Sequence, residues 1–201
     1  MGNEVSSPAM SGSSKANSQK LNDWKKKWKL QNEHLKKVVD VADRLHMKDG
    51  QIQMDDYIEA LGVGGTEEDL ARRFFYACDT DRSGVVDEDE MLEFYGNQYG
   101  GTEVSKLKLS YNVYRGKNDK VTKTDLIETL LARKRTMFRL YKGISSKQPL
   151  ELPSNVVPDT EKLAHDLMQS ADHDKDGCLN FDEFVQGYKS NTVLYADLLI
   201  V

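Results

Sequence analysis

Apolar residues recur along this chain at spacings of three and four, in stretches that flank short polar segments containing a glycine. Leu70, Phe74 and Ala77 form one stripe, and Met91, Phe94 and Tyr95 form another beyond it. Leu163, Leu167 and Ala171 repeat the arrangement, with Phe181, Phe184, Val185 and Tyr188 behind them. That period lines one face of an α-helix, so each set predicts two core-facing helices joined by a tight polar turn. Trp24 and Trp28 stand four apart near the N-terminus, with Leu21 and Leu35 on or near the same face; they read as core, with anchoring at a membrane interface as the alternative. Leu130, Leu131, Met137 and Phe138 are interspersed with Arg133, Lys134, Arg135 and Arg139, which reads as a helix with a solvated charged side. Asp159 or Thr160 is the expected cap of the helix that precedes residue 172. Residues 143–158 hold Pro149, Pro153 and Pro158 and read as a loop.

The two polar turns carry a ligand pattern. DTDRSGVVDEDE (Asp79–Glu90) and DHDKDGCLNFDE (Asp172–Glu183) each place oxygen-bearing side chains at positions one, three, five, nine and twelve, with glycine at six. A hard cation such as Ca2+ takes about six to eight oxygens, and this spacing wraps the backbone around one ion. Glycine at six permits the sharp turn. The candidate ligands of the earlier turn are Asp79, Asp81, Ser83, the Val85 carbonyl, Asp87 and Glu90. Those of the later turn are Asp172, Asp174, Asp176, the Cys178 carbonyl, Asn180 and Glu183. Glu90 and Glu183 are expected to bind with both carboxylate oxygens, and Mg2+ is a candidate for the same turns.

Units of this helix–loop–helix kind, EF-hands, work in pairs, joined where the apolar residue at loop position eight meets its counterpart. In the two strong loops that residue is Val86 or Leu179. Leu45–Asp56 (LHMKDGQIQMDD) keeps the frame, with Gly50 at six, Ile52 at eight and Asp56 at twelve, but Leu45 and Met47 offer no side-chain ligand. Tyr114–Asp125 (YRGKNDKVTKTD) keeps Val121 at eight and Asp125 at twelve, while Tyr114 and Gly116 spoil positions one and three. Both read as frames without calcium. Loop starts at 45, 79, 114 and 172 give intervals of 34, 35 and 58 residues, the regularity of a tandem repeat with one insertion. The expected fold is all-α: four EF-hand frames in two lobes with short β-ribbons between paired loops. Residues 1–19 are expected to be a flexible segment, 20–100 the first lobe, 101–190 the second, and 191–201 an apolar tail.

Net charge is −5, yet residues 20–48 carry +5, so the acidity lies in the body. A basic front suits an anionic partner, or simply a solvated helix face. Two cysteines, Cys78 and Cys178, fit a reducing compartment better than a disulfide framework. The first nineteen residues are Ser/Gly-rich and lack an apolar run, so no secretory signal is expected. No apolar stretch approaches the roughly 20 residues of a membrane helix. His34, His46, His165 and His173 are scattered and no phosphate-binding glycine motif is present, so neither an enzyme nor a nucleic-acid partner is expected.

The loops, the four-frame layout and the opening LNDWKKKWKL resemble the invertebrate sarcoplasmic calcium-binding proteins and their relatives such as calexcitin. The resemblance covers about residues 20–201. It implies two facing helical lobes, and a C-terminal segment, here NTVLYADLLIV, that packs back onto the body. In that family the first and third loops are usually the active ones; here the second and fourth are. Photoproteins share the general fold, but the two tryptophans both lie in the first helix and give their oxidative chemistry little support.

The start MGNEVS matches the N-myristoylation pattern at Gly2, with Ser6 at the favoured place, and resembles the opening of recoverin-type calcium sensors. One acyl chain binds membrane only marginally. Lys25, Lys26, Lys27 and Lys29 would supply a second contribution at an anionic surface. The expectation is a cytoplasmic calcium sensor, peripheral to membrane when acylated, with a protein target and with Met54, Met91, Met137 and Met168 as candidates for its apolar surface or for its core. A calcium buffer that changes little in shape is the alternative.

Overall fold

A computed structural model describes residues 22–45, 47, 50–145, 148, 150–191 and 198–199. The chain order is α1 (22–28), α2 (Asn32–Leu45), β1 (Gln51–Gln53), α3 (Met54–Leu61), α4 (Thr66–Cys78), β2 (Val85–Asp87), α5 (Glu88–Gly100), α6 (Glu103–Arg115), β3 (Val121–Thr122), α7 (Lys123–Lys142), α8 (Val156–Ala171), β4 (Cys178–Leu179) and α9 (Phe181–Ser190). No helix among the described residues is long and apolar enough to cross a membrane.

Two antiparallel ribbons organise these helices. In one, β1 pairs with β2 with Ile52 opposite Val86; in the other, β3 pairs with β4 with Val121 opposite Leu179. The four residues at loop position eight therefore meet in two pairs, and all four are buried. A slip of one residue would turn each of these side chains out of its core, so burial fixes the register. The frames at 45–56 and 114–125 thus pair with the two acidic loops, giving the expected all-α fold of two EF-hand lobes.

Each lobe has its own core. Ile52, Tyr57, Phe75, Val86, Met91 and Phe94 pack in the first, and Tyr114, Val121, Leu126, Leu167, Leu179 and Phe184 in the second. The two are joined through α6: Leu107, Tyr111 and Tyr114, at spacings of four and three, face the second core, while Leu109 and Val113 enter the first. At position one of the two weaker frames, Leu45 and Tyr114 are spent on the cores instead of a cation.

The tryptophan stripe does go inside. Trp24 and Leu30 form a small cluster with Leu92 of α5, and the half-buried Trp28, Tyr95 and Tyr99 pack around it. Glycines admit this contact: a Cβ on Gly96 would lie 2.5 Å from the Trp28 indole nitrogen, and one on Gly100 would overlap the Trp28 carbonyl oxygen. Met91 and Met168 are core, Met54 is half-buried, and Met137 stands 66% exposed beside the exposed Leu140 and Tyr141.

The basic side of α7 is not simply solvated. Arg133 donates to the Tyr114 hydroxyl (3.1 Å) and the Leu199 carbonyl (3.0 Å), and Lys134 donates to Thr160 Oγ1 (2.9 Å). Arg139 pairs with Glu67 of α4 and donates to the carbonyls of Ser145 and Gln148 (both 2.7 Å). These cations find neighbouring elements that helical period alone does not name. The C-terminal segment is described at Leu198 and Leu199, and Leu198 is fully buried in the second core. Two local expectations need correction. The helix entering the last loop begins at Val156, so Pro158 lies in its first turn, where a missing N–H leaves no intrahelical bond unmade. Its cap position is Asn155, not Asp159 or Thr160; Asn155 donates to Asp159 Oδ2 (2.8 Å), and Thr160 is buried with its hydroxyl on the Val156 carbonyl (2.6 Å).

Candidate metal centres

Loop two starts where α4 ends. Asp79 Oδ1 accepts from the Ser83 amide (2.9 Å) and Oδ2 from the Gly84 amide (3.0 Å), which curls the chain back on itself. Asp81 accepts from the same Ser83 amide (2.9 Å). Arg82 and Gly84 both have positive φ, 61° and 85°, so the turn depends on the glycine and strains its non-glycine neighbour. Ser83 Oγ lies 3.1 Å from the Val85 carbonyl oxygen, which brings two candidate ligands together on one side of the loop. Glu90 then closes the ring: Oε1 accepts from the Thr80 amide (2.7 Å), and Oε2 from the Asp87 amide (3.2 Å). Asp87 Oδ1 accepts from the Glu90 amide (2.8 Å), so the ninth and twelfth residues form the capping box that begins α5.

Loop four repeats this construction. Asp172 Oδ2 accepts from the Gly177 amide (3.0 Å), Asp174 from the Asp176 amide (3.1 Å) and Asp176 from the Cys178 amide (2.8 Å). Glu183 takes the His173 amide on Oε1 and the Asn180 amide on Oε2, each at 3.0 Å, and Asn180 caps α9 in return. Lys175 and Gly177 have positive φ, 59° and 82°, matching the pair in loop two.

Carboxylate oxygens converge in both places. Asp79, Asp81 and Glu90 bring one oxygen each within 4.8 Å of one another, and so do Asp172, Asp174 and Asp176. Burial pushes the Asp79 carboxyl above its ordinary range, against the pull of the Gly84 and Ser83 amides, and the charges of Glu90 and Asp81 push the same way. Asp172 Oδ1 is buried without a hydrogen-bond partner among the described residues. A divalent cation would satisfy that oxygen and offset the crowded negative charge, so the donor set fits a hard, oxygen-seeking ion. Asp87 and Asn180 serve here as helix caps, the Val85 and Cys178 carbonyls belong to the ribbon strands, and Gly2 lies outside the described residues.

Three basic residues near these loops have no place in the ligand pattern. Lys120 of the third frame pairs with Asp176, whose carboxyl it holds below the usual range. Arg82 in loop two pairs with Asp119 of the third frame at 2.8 Å. Arg73 of α4 reaches Asp125 at 3.1 Å. Only Lys120 had a sequence signal: its place beside Val121 sets it next to loop four once the ribbon register is known. Both thiols are unpaired; Cys78, next to Asp79, is buried and its pKa is driven far up by burial, while Cys178 is half-buried.

Comparison with known proteins agrees with this geometry. Calaxin from Bos taurus is 26% identical over 135 residues, 67% of this chain and 58% of calaxin, so the match spans less than two thirds of that relative. Guanylyl cyclase-activating protein 2 from Lithobates pipiens is 25% identical over 173 residues, 81% of this chain and 84% of that protein. The family described as an EF-hand domain pair matches residues 67–189, more than half of the chain and both acidic loops; with its paired frames, the chain belongs to the EF-hand family of calcium-binding proteins.

Proposed function

We propose that this protein is a calcium sensor that takes one ion in each lobe. The ligands are Asp79, Asp81, Ser83, the Val85 carbonyl, Asp87 and Glu90 in one, and Asp172, Asp174, Asp176, the Cys178 carbonyl, Asn180 and Glu183 in the other. The frames at 45–56 and 114–125 are structural partners. The two lobes correspond to residues 20–100 and 101–190.

One observation carries the sensor reading. Glu90 and Glu183 each close a loop onto its early amides and belong to the capping box of the helix that follows. When such a carboxylate turns from backbone amides to a cation, the first turn of α5 or α9 moves with it. Movement of exit helices is how sensor EF-hands expose apolar surface. A protein target is the natural recipient, in keeping with the printed name of one relative, an activator of guanylyl cyclase. Acylation at Gly2 together with the basic residues of α1 would hold the chain at a cytoplasmic membrane surface.

Amide hydrogen exchange with and without Ca2+ tests this reading. Sensor behaviour requires faster exchange, or new binding of an apolar dye, at core positions such as Met91 and Phe184 when the ion is added. Buffer behaviour requires slower exchange throughout. The shared helix α6 and the Arg139–Glu67 pair favour the buffer alternative, because they resist separation of the lobes. Calorimetry in Mg2+ separates the two further: buffer loops bind at about 10⁻⁹–10⁻⁸ M and feel Mg2+, whereas sensor loops bind at about 10⁻⁷–10⁻⁵ M.

A further inference from the structure

We propose that Arg73 acts as a resident cation of the third frame, and that through it the ion state of loop two reaches loop four. The proposal rests on the calcium reading above and gives that reading its route between sites.

Arg73 lies on α4, the helix that runs directly into Asp79. Its guanidinium leaves the first lobe and enters the frame at 114–125. Nη1 donates to the Tyr114 carbonyl (2.6 Å), at position one of that frame. Nη1 and Nη2 both donate to Asp125 Oδ1 (3.2 and 3.1 Å), at position twelve, and Nη2 donates also to Glu128 (2.8 Å). Asn118, at position five, donates to both oxygens of the same Asp125 (3.2 and 3.1 Å). The remaining contacts of Oδ2 come from Thr122, through its amide (3.0 Å) and its hydroxyl (2.7 Å).

The first and twelfth positions of the frame therefore gather around a positive group, as they would around a metal ion, but the charge comes from another lobe; the fifth holds the twelfth in place. Gly116, at position three, completes the arrangement. It has φ of 54°, and a Cβ there would sit 3.2 Å from Nη1. The residue that removes a ligand from the frame also makes room for the guanidinium. Among the described residues, Glu90 and Glu183 form no ion pair with a basic side chain, whereas Asp125 is buried and paired in this way. A planar fork suits this duty better than an ammonium, because it meets a carbonyl and two carboxylates at once.

The frame that Arg73 fills is tied to loop four by the Val121–Leu179 pairing. Arg82 within loop two makes a parallel contact to Asp119 of the same frame. Order imposed on the end of α4 by calcium at Asp79 thus passes along one helix to Arg73, through the third frame, and across the ribbon to the ligands of loop four. The coupling is reciprocal.

Calcium calorimetry on the full chain tests the route with a cycle of variants: wild type, Glu90→Gln, Arg73→Gln and the double variant. With Arg73 present, loss of loop two by Glu90→Gln is expected to weaken calcium binding at loop four by roughly fivefold or more, the lower end of ordinary coupling between sites. In the Arg73→Gln background the same loss should change loop four by less than about twofold, near the scatter expected for independent sites. Asp125→Asn, isosteric and approached from the other lobe, should abolish the coupling in the same way and replaces Arg73→Gln should that variant fail to fold. An equal shift in both backgrounds, or no shift with Arg73 intact, overturns the route while leaving the calcium sites standing. A wild-type chain that takes up no calcium at all overturns the sites themselves.

Discussion

Arg139 of α7 pairs with Glu67 in the first turn of α4, and their side chains are only 11% and 5% exposed. A charge pair this far from water is sensitive to the loss of one partner, because the other is left buried and alone. Glu67 Oε2 already has no hydrogen-bond partner among the described residues. Arg139→Met should therefore lower stability by about 3–5 kcal/mol. Combining it with Glu67→Gln should restore a substantial part, since no uncompensated charge remains. Urea titrations of the two single variants and the double variant check this; equal additive losses would show that the pair is not coupled.

Helix α1 is held against α5 through the backbone of two glycines. Gly96→Ala and Gly100→Ala each place a methyl where Trp28 now lies. Overpacking of this kind costs about 1–3 kcal/mol. Loss of the Trp28 environment should appear as a red shift in tryptophan emission, accompanied by a lower Tm. Unchanged emission in both variants would contradict the docking of α1.

Calcium stoichiometry should fall from two to one for either Glu90→Gln or Glu183→Gln, and to zero for the pair. Asp56→Gln and Asp125→Asn, which alter position twelve of the other two frames, should leave two ions bound. Equilibrium dialysis with radioactive calcium reads the counts directly.

Lys120 competes with any cation for Asp176. Lys120→Ala should tighten binding at loop four and make it more dependent on salt, because the loop then meets the cation with one more uncompensated negative charge. Calcium titrations at two ionic strengths would expose a weakening, which is the opposite of the expected sign.

Leu198 fills the second core although it belongs to the last residues of the chain. Leu198→Ala should cost about 2–5 kcal/mol, as other leucine truncations in packed cores do. A stability change within error of zero, measured by thermal unfolding, would mean that Leu198 is not docked as described.

Much of this architecture is written in short-range pattern. Position eight carries the apolar residues Ile52, Val86, Val121 and Leu179, which anticipates where paired loops touch, and the order of the loop starts along the chain anticipates that successive loops pair. The acidic residues at fixed spacing anticipate the carboxylate clusters for the same reason, since twelve consecutive residues contain the whole motif. The ties of Arg73, Arg82 and Arg139 were not legible. Helical period says which side of α4 or α7 is charged, but not which element stands opposite it. Gly96 and Gly100, one helical turn apart, did offer a signal for close packing of Trp28, though nothing nearby in sequence links them to it. Pro158 points to a loop when proline is taken only as a helix breaker, whereas a first helical turn accommodates it.

The two thiols differ in access as sharply as their loops agree in shape. Cys78, the last residue of α4, is buried in the first core, while Cys178 sits half-open on the strand within loop four. A maleimide dye under mild conditions should consequently attach to a single position without any engineered handle. Its fluorescence would then give the second lobe a private optical voice, allowing occupancy there to be followed while the first lobe stays silent.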